Sequence, residues 1–293
     1  MLTFKHYEKG FEIEQERINM TVAKNWSYPR VITVDQLREK YYKDDFDPQT
    51  VLYCFDDNND MIGFVTSQIL QKENEIVRAR LSFPIVLPGY EDAIELLFER
   101  AIKVLKDKNI QIVHSSFGLW GGSNEWAEKW GYKRIDEIGV LYGLDVNSNT
   151  FNEETEDVIS FDPETDLDDC VNLFVTEYNL PEDDVRNFTR YIFTNEDTLA
   201  YFVLREKGEI VATGAIMKNR IVSTIGLLSA VHDKGINYLR KLLSKLINVA
   251  KGQGIEKIFM FFTHLPPDHP IIEKYITLGF TFLGSNVNYE KKI

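Results

Sequence analysis

The sequence predicts an α/β protein built from two similar modules in tandem. Its 293 residues fit two domains of about 150 residues each. Runs rich in β-forming residues alternate with amphipathic stretches, and this order of elements occurs twice. Three landmarks recur at nearly one spacing: Ile62-Gly63 with Val211-Ala212 at 149 residues, Gly89 with Gly235 at 146, and Gly131-Tyr132 with Gly279-Phe280 at 148. A spacing this constant indicates an internal repeat.

The first half predicts three strands, a long helix, a buried strand, a short helix and a closing strand. The strands fall at about 51–55, 61–71 and 75–84, and apolar residues at helical spacing follow over 92–108. A short apolar strand at 110–117 precedes a turn and short helix at 121–132, for which Ser123 or Asn124 is the predicted N-cap. A strand over 133–146 closes this half, and a further helix is predicted at 33–43.

The second half repeats that order. Strands are predicted at 198–206, 209–219 and 222–230, and a helix over 236–254 ends on glycines. A buried strand at 255–263, a short helix and turn at 268–280 and a final strand at 281–293 complete it, with helices ahead at 166–179 and 181–193. We therefore expect a module at residues 1–147, a polar and acidic linker at 148–157 and a second module at 158–293.

Composition narrows the classes of partner. Asp and Glu outnumber Lys and Arg by 46 to 33, a net charge of −13, which repels phosphate backbones and disfavours nucleic acid. Such a surface attracts cationic small molecules or basic peptides, although salt screens the attraction. No apolar run reaches the roughly 20 residues of a membrane span, and the N-terminus is too charged for a signal peptide. With only two cysteines, we expect a cytoplasmic protein without disulfides, a metal site or a membrane partner.

A glycine-containing turn before the second long helix predicts an anion site. His232-Asp233-Lys234-Gly235-Ile236-Asn237 leads into that helix, whose first N–H groups and dipole favour an anion. Gly235 allows close backbone approach and Lys234 adds a cation. The matching turn of the first half places Glu91 and Asp92 directly after Gly89-Tyr90, and these carboxylates would repel the same anion.

The repeated order of elements and this loop resemble the GNAT family of N-acetyltransferases. The resemblance implies, for each module, a mixed, mainly antiparallel central sheet flanked by helices, with acetyl-CoA as cosubstrate. The family's pyrophosphate loop, Gln/Arg-x-x-Gly-x-Gly/Ala, corresponds to His232–Asn237, so the resemblance assigns cofactor binding to Asp233, Lys234, Gly235, Ile236, Asn237 and Tyr238. His232 and Asn237 depart from that pattern.

The resemblance also assigns the reacting groups. The family's short-helix motif, Asn-x-x-Ala-x-x-Leu-Tyr-x-x-x-Gly-Phe, corresponds to Asp268–Phe280 and makes Tyr275 the general acid for the CoA thiolate. Asp268 stands where an Asn contacts pantetheine. The strand segment Ile225-Gly226-Leu227 would pair with the pantetheine amides, and the Leu227 N–H would be the oxyanion donor.

The first copy lacks the same groups, and the general base stays open. Ala127 stands where the second copy has Tyr275, so the first copy is predicted to be degenerate. Some members of the family carry a Glu that acts as general base at the position of Thr263. His264 and His232 are weaker candidates for the general base. His264, and His114 at the matching point of the first half, are more typical of structural residues. A metal at His264, Asp268 and His269 is disfavoured because two prolines intervene.

Three functions remain open at this stage. The first is acetyl transfer to a small amine or a peptide amine, and the second is a non-catalytic binding or regulatory protein with the same fold. The third is aminoacyl transfer by a tandem enzyme that builds peptidoglycan bridges, which this short acidic chain fits less well. Two modules in one chain are expected to form a monomer with an internal pseudo-dimer, or a homodimer.

Overall fold

The computed structural model describes residues 2–24, 26, 31–70, 77–118, 122–148, 151, 153–178, 180–218, 223–230, 235–263 and 270–293. They form two compact units: Met1–Val140 with Gly284–Ile293, and Leu141–Leu283. In each unit a mixed, mainly antiparallel sheet lies between helices, which confirms the predicted fold class. No described helix is both long and apolar enough to cross a bilayer.

The first unit contains a sheet in the order β1-β2-β3-β4-β6-β13, with β5 also paired to β3. Its elements are β1 (Thr3–His6), α1 (Phe11–Ala23), α2 (Val34–Tyr41), a 3₁₀ turn (Pro48–Thr50), β2 (Val51–Phe55), β3 (Met61–Ile69), β4 (Arg78–Leu81), β5 (Ile85–Val86), α3 (Asp92–Asp107), β6 (Ile112–Phe117), α4 (Ser123–Lys129) and the first part of β7 (Lys133–Asp145). The neighbours β4 and β6 run parallel, whereas β1-β2, β2-β3, β3-β4 and β6-β13 are antiparallel.

The second unit contains a sheet in the order β7-β12-β11-β10-β9-β8. Its elements are the end of β7, then β8 (Val158–Ser160), α5 (Leu167–Tyr178), α6 (Glu182–Thr194), β9 (Thr198–Glu206), β10 (Glu209–Lys218), β11 (Ser223–Ala230), α7 (Gly235–Gly252), β12 (Lys257–Thr263), α8 (Pro270–Thr277) and the start of β13 (Thr281–Lys292). Among the pairs whose register is described, β11 and β12 are parallel, and the long helix α7 connects them, as α3 lies between the parallel strands β4 and β6 of the first unit.

Alternation along β2 explains why the first unit has helices on both faces. Leu52 and Cys54 belong to a core cluster with α3, while Val51, Tyr53 and Phe55 belong to a second cluster with α1 and α2. Successive side chains of a strand point to opposite faces. All five side chains are buried, so each face of the sheet is covered.

Close packing of α7 on the sheet of the second unit centres on Gly214 of β10. A Cβ atom at Gly214 would lie 2.9 Å from the side chains of Leu228 and Leu242 and 3.3 Å from that of Leu246. Leu242 and Leu246 lie one helical turn apart on the buried face of α7. The small residue therefore lets the helix approach the sheet directly beside β11.

The C-terminal strand closes the sheet of the first unit. Antiparallel pairing joins Val287 to Phe117 and continues to Lys292 and Ile112. The predicted division at 147 and 158 instead kept 281–293 wholly in the second module. The compact units assign Gly284–Ile293 to the first and Leu141–Asp145, the end of β7, to the second. The closing strand of each repeat is thus divided between the two units. The sequence did not predict this division, because alternation of side chains does not specify which sheet edge a strand joins.

Local signals predicted most other elements. The helix at 33–43 is confirmed as α2, whose N-cap Thr33 forms a capping box with Gln36. The predicted N-cap of α4 was wrong: Gly122 occupies that position, and Ser123 Oγ instead accepts a hydrogen bond from Gly118 N–H at 2.9 Å. Helix α1 and the short strands β1 and β8 were not predicted, because α1 is nearly uniform in polarity around its axis and the two strands are only three or four residues long.

Candidate active site in the second unit

A β-bulge interrupts β11 beside Gly214. The register pairs Thr213 with Ser229 and Ala215 with Gly226. Leu227 and Leu228 therefore both lie opposite the single residue Gly214. A bulge leaves one backbone group outside the ladder and re-aims the strand, and bulges are common next to active sites.

Within the described residues, β11 pairs with its parallel neighbour β12 only at its first two positions and then diverges from it. The paired residues are Ser223 with Ile258 and Thr224 with Phe259. From residue 225 to residue 230 the strand remains paired with β10 on its other side. Two parallel strands that pair at one end only leave a wedge between their backbones, with an open edge on β11.

The Tyr275 hydroxyl lies at this bulge. It donates a hydrogen bond of 2.5 Å to the carbonyl oxygen of Leu228. Its ring is 1 % exposed and contacts Phe262 of β12 edge-on, with 4.9 Å between centroids. Helix α8 carries the phenol there because Phe280 N–H bonds back to Tyr275 C=O and closes the turn after the helix.

The structure therefore brings together residues that are far apart in the sequence. Leu227, predicted as the oxyanion donor, lies in the bulge next to the residue whose carbonyl accepts the Tyr275 hydroxyl. Ile225 and Gly226, predicted to pair with pantetheine, lie on the stretch of β11 where β12 has diverged. Asp268 lies outside the described residues, as do His264 and His269.

The start of α7 supplies the predicted anion site only in part. Gly235 is the first helical residue, and a Cβ atom there would come no nearer than 3.8 Å to Ala230 O, so the fold itself does not require glycine. Asn237 is exposed, Ile236 is half-buried, and the Tyr238 hydroxyl donates to Glu206 Oε2 at 2.8 Å. His232, Asp233 and Lys234 lie outside the described residues.

Two cations on α7 were not predicted as site residues. Lys241 Nζ donates to Asp157 Oδ2 at 2.6 Å. Arg240 lies over the Phe151 ring at 6.0 Å, and its buried Nε has no hydrogen-bond partner in the described part of the chain. Both lie in the second turn of α7, and no local sequence signal distinguishes them from ordinary surface cations.

The equivalent loop of the first unit is occupied by its own carboxylate. Gly89 has a φ of +90°, and its N–H donates to Glu91 Oε1 at 2.9 Å. Hydrogen bonds from the Gly89 and Glu91 N–H groups lower the pKa of Glu91. The Glu91 carboxylate thus accepts the Gly89 N–H that a bound phosphate would need as a donor.

Aromatic side chains fill the wedge of the first unit. Phe83, which follows β4, packs edge-on against Phe117 of β6 at 6.0 Å, and its ring is tilted by 34° against that of Trp130 at 5.7 Å. Ser115 Oγ donates to Leu81 O at 2.8 Å across the parallel pair. Ala127, at the position of Tyr275, is fully buried. The Trp126 and Trp130 rings lie 5.0 Å apart in this cluster and pack against its other aromatic side chains.

The described residues include no group of three metal-ligating side chains. His114 lies within β6, and its Nε2 is 4.0 Å from Glu290 Oε2 of the paired strand β13. His114 therefore belongs to the sheet of the first unit, where Glu290 is its neighbour across the strand pair.

Solved structures share this architecture along nearly the whole chain. A tandem GNAT protein from the clavulanic acid biosynthesis pathway has a TM-score of 0.60 and 13% identity, with 100% of this chain and 98% of that chain covered. An acetyltransferase of the GNAT family from Colwellia psychrerythraea has a TM-score of 0.59 and 15% identity, with 99% of this chain and 100% of that chain covered. A GCN5-related N-acetyltransferase from Sphaerobacter thermophilus has a TM-score of 0.57 and 12% identity, with 99% of this chain and 95% of that chain covered.

At the level of sequence, no family model and no curated protein matches the chain. Sequence identities of 12–15% support a shared fold, and the function has to be argued from the site itself. The resemblance read from the order of elements is confirmed by these structures, one of which is itself a tandem protein. The chain therefore has the fold of the GNAT acetyltransferases over nearly its full length.

Proposed function

We propose that the protein is an acetyl-CoA-dependent N-acetyltransferase that acts on a small amine or a peptide amine, with its active site in the second unit. The observation that carries this proposal is the meeting of Tyr275 with the bulge of β11. A phenol, a strand segment released from its ladder and an open strand edge converge where β11 leaves β12. The first unit has Ala127 and an aromatic cluster at the matching place.

The second unit offers features that suit an acyl-CoA. The open edge of β11 at Ile225–Leu227 can pair with the two amides of the pantetheine arm as an added strand would. The N-terminus of α7 suits a pyrophosphate, and Gly235 leaves the approach clear. Residues 198–293 contain 13 Lys and Arg against 7 Asp and Glu, so this stretch of an acidic protein is itself basic.

Bound acetyl-CoA would supply the thioester that is attacked by the acceptor amine. In that reaction the amine nitrogen would form a bond to the thioester carbon as the carbon–sulfur bond breaks, with the Leu227 N–H donating to the developing oxyanion. The Tyr275 Oη proton would pass to the departing thiolate, and the proton lost by the amine nitrogen would go to solvent, from which the phenol regains its own. For this, the Tyr275 hydroxyl must exchange its bond to Leu228 O for one to sulfur. We expect the anion loop, with Asp233, Lys234, Ile236, Asn237 and Tyr238, to hold the phosphates and Asp268 to contact the pantetheine arm.

Calorimetry with acetyl-CoA tests the division between the units. We expect one equivalent per chain, because the Glu91 carboxylate already accepts the Gly89 N–H in the loop of the first unit and would repel a phosphate placed there. The loop of the second unit carries no carboxylate at the matching position after Gly235. Two equivalents per chain, or binding abolished by Gly89→Glu and unaffected by Gly235→Glu, would overturn the assignment.

A non-catalytic role is the second candidate, favoured by the engaged Tyr275 hydroxyl. A buried phenol bonded to a main-chain carbonyl also ties α8 to β11 without any chemistry. Tyr275→Phe separates the two roles: as general acid it should lower kcat by about 10²–10⁴-fold with little change in acetyl-CoA affinity. A variant that loses stability but keeps its kcat with a turned-over amine would assign Tyr275 to structure alone.

A further inference from the structure

The negative charge of this protein is concentrated in one short stretch. Residues 153–197 contain 15 Asp and Glu against two Arg, a balance of −13, which equals the net charge of the whole chain. The remaining residues carry equal numbers of acidic and basic side chains. The stretch forms β8, α5 and α6 of the second unit. Charge spread for solubility alone would not segregate in this way.

Helix α6 adds an exposed aromatic face to this acidic stretch. Phe188 is 48% exposed and Tyr191 is 55% exposed, and their rings stack at 6.5 Å with 13° between the planes. Asp184 precedes Phe188 by one helical turn on the same side, and Leu180, 48% exposed, lies just before the helix. The opposite side is buried through Val185, Thr189 and Ile192. Stacked, exposed aromatic rings on a surface helix mark an interaction site more often than single apolar residues do.

The carboxylates nearest to these rings remain available. Glu182 accepts a hydrogen bond from Arg186 Nη2 at 2.8 Å, and Arg186 also donates to Asp168. The Arg186 guanidinium is therefore paired with these two carboxylates, away from the aromatic rings. Asp183 and Asp184 are exposed and have no ion-pair partner within the described ranges. Carboxylates in the first turn are favourable to a helix, but that effect does not account for the aromatic pair beside them.

We propose that the face of α6 formed by Leu180, Asp183, Asp184, Phe188 and Tyr191 docks a basic segment of a partner protein. Charge complementarity selects the partner: its Lys or Arg side chains meet the carboxylates, and its apolar or planar side chains cover the two rings. Guanidinium groups stack on aromatic faces and pair with carboxylates, so an arginine-rich segment fits both features. This surface does not depend on the acetyl-transfer site, since docking needs no acetyl-CoA and no reacting amine.

Fluorescence anisotropy with a labelled probe tests the surface. The probe is a twelve-residue peptide of Arg and Leu, blocked at its N-terminus so that it has no amine to be acetylated, and a Glu and Leu peptide serves as its counterpart. We expect the Arg peptide alone to bind in 50 mM salt and to bind about tenfold more weakly in 300 mM salt, because exposed charge pairs are screened. Phe188→Ser with Tyr191→Ser, and separately Asp183→Asn with Asp184→Asn, should each weaken binding by about five- to tenfold.

Matched variants separate the surface from general charge and stickiness. Asp44→Asn with Asp45→Asn removes an exposed acidic pair of the first unit, and Phe282→Ser removes an aromatic ring that is 56% exposed. Neither should change the affinity. No binding of the Arg peptide at millimolar concentration, or equal losses in the control variants, would overturn the proposal. If the aromatic variant fails to fold, the amide variant and the salt dependence of the unaltered protein still decide it.

Discussion

Replacing Tyr289 with alanine should strongly destabilise the first unit, although the residue lies four positions from the end of the chain. The ring is 7% exposed and packs 5.5 Å from Phe117 of β6, and its hydroxyl donates to Asn124 Oδ1 at 3.2 Å. Truncating a large buried aromatic side chain costs about 3–5 kcal/mol of unfolding free energy. The lost hydrogen bond adds about 1 kcal/mol.

Native-state hydrogen exchange shows where that loss falls. For amides whose exchange requires opening of the first unit, a total loss of about 4–6 kcal/mol accelerates exchange by about 10³–10⁴-fold. We expect this acceleration for the amides of β6, which pair with β13 from Ile112 to Phe117. Amides of β9 and β10 report on the second unit.

The matched control is Phe282→Ala on the same strand. Phe282 is 56% exposed and lies within the second unit, so its truncation should change the unfolding free energy by less than about 1 kcal/mol. If Tyr289→Ala instead accelerates exchange in β12 and leaves β6 protected, then β13 closes the sheet of its own repeat and the assignment of its last residues to the first unit is wrong.

Three further predictions concern single positions. Gly118→Ala should destabilise the first unit far more than Gly122→Ala in thermal melts, because a Cβ atom at Gly118 would lie 2.0 Å from a main-chain oxygen of β13, whereas none of the described atoms lies within 4 Å at Gly122; equal melting temperatures would contradict the close approach. Burial raises the pKa of Glu12, but hydrogen bonds from its own and the Gly10 N–H and from Tyr42 outweigh burial and lower it to about 2. This stabilisation is therefore complete above about pH 5 and is lost as the pH falls towards 2, so Glu12→Gln should cost stability in urea titrations at pH 7 and progressively less below pH 4. Gly235→Glu should weaken acetyl-CoA binding at least tenfold (about 1.4 kcal/mol), while Gly235→Ala, which meets nothing nearer than 3.8 Å, should fold normally and serve as its steric control.

Local sequence patterns are enough to predict the fold class and the order of the elements. The change from strand to helical periodicity, the Thr33 capping signal and the glycines that end α7 all act within a few residues, and such local signals survive whatever the rest of the chain does. The constant spacing of the repeat then led to the predicted anion loop at Gly235, and comparison with Gly89 led to the prediction that the first copy is degenerate. Those inferences needed only neighbouring residues and two aligned halves.

The division of β7 and β13 between the two units, and the position of the Tyr275 hydroxyl, depend on tertiary packing. Strands β7 and β13 are 13 and 12 residues long, and their alternation fits either sheet, so only long-range packing around Phe117 and Tyr289 selects the partner. The bulge at Leu227 and Leu228 arises because β11 has one more residue than β10 between two paired positions. It is a property of the strand pair, so the sequence of either strand alone does not predict it. The bond between Tyr275 and Leu228 joins residues 47 positions apart, and hydrogen bonds over such distances depend on how helices and sheets pack rather than on local sequence.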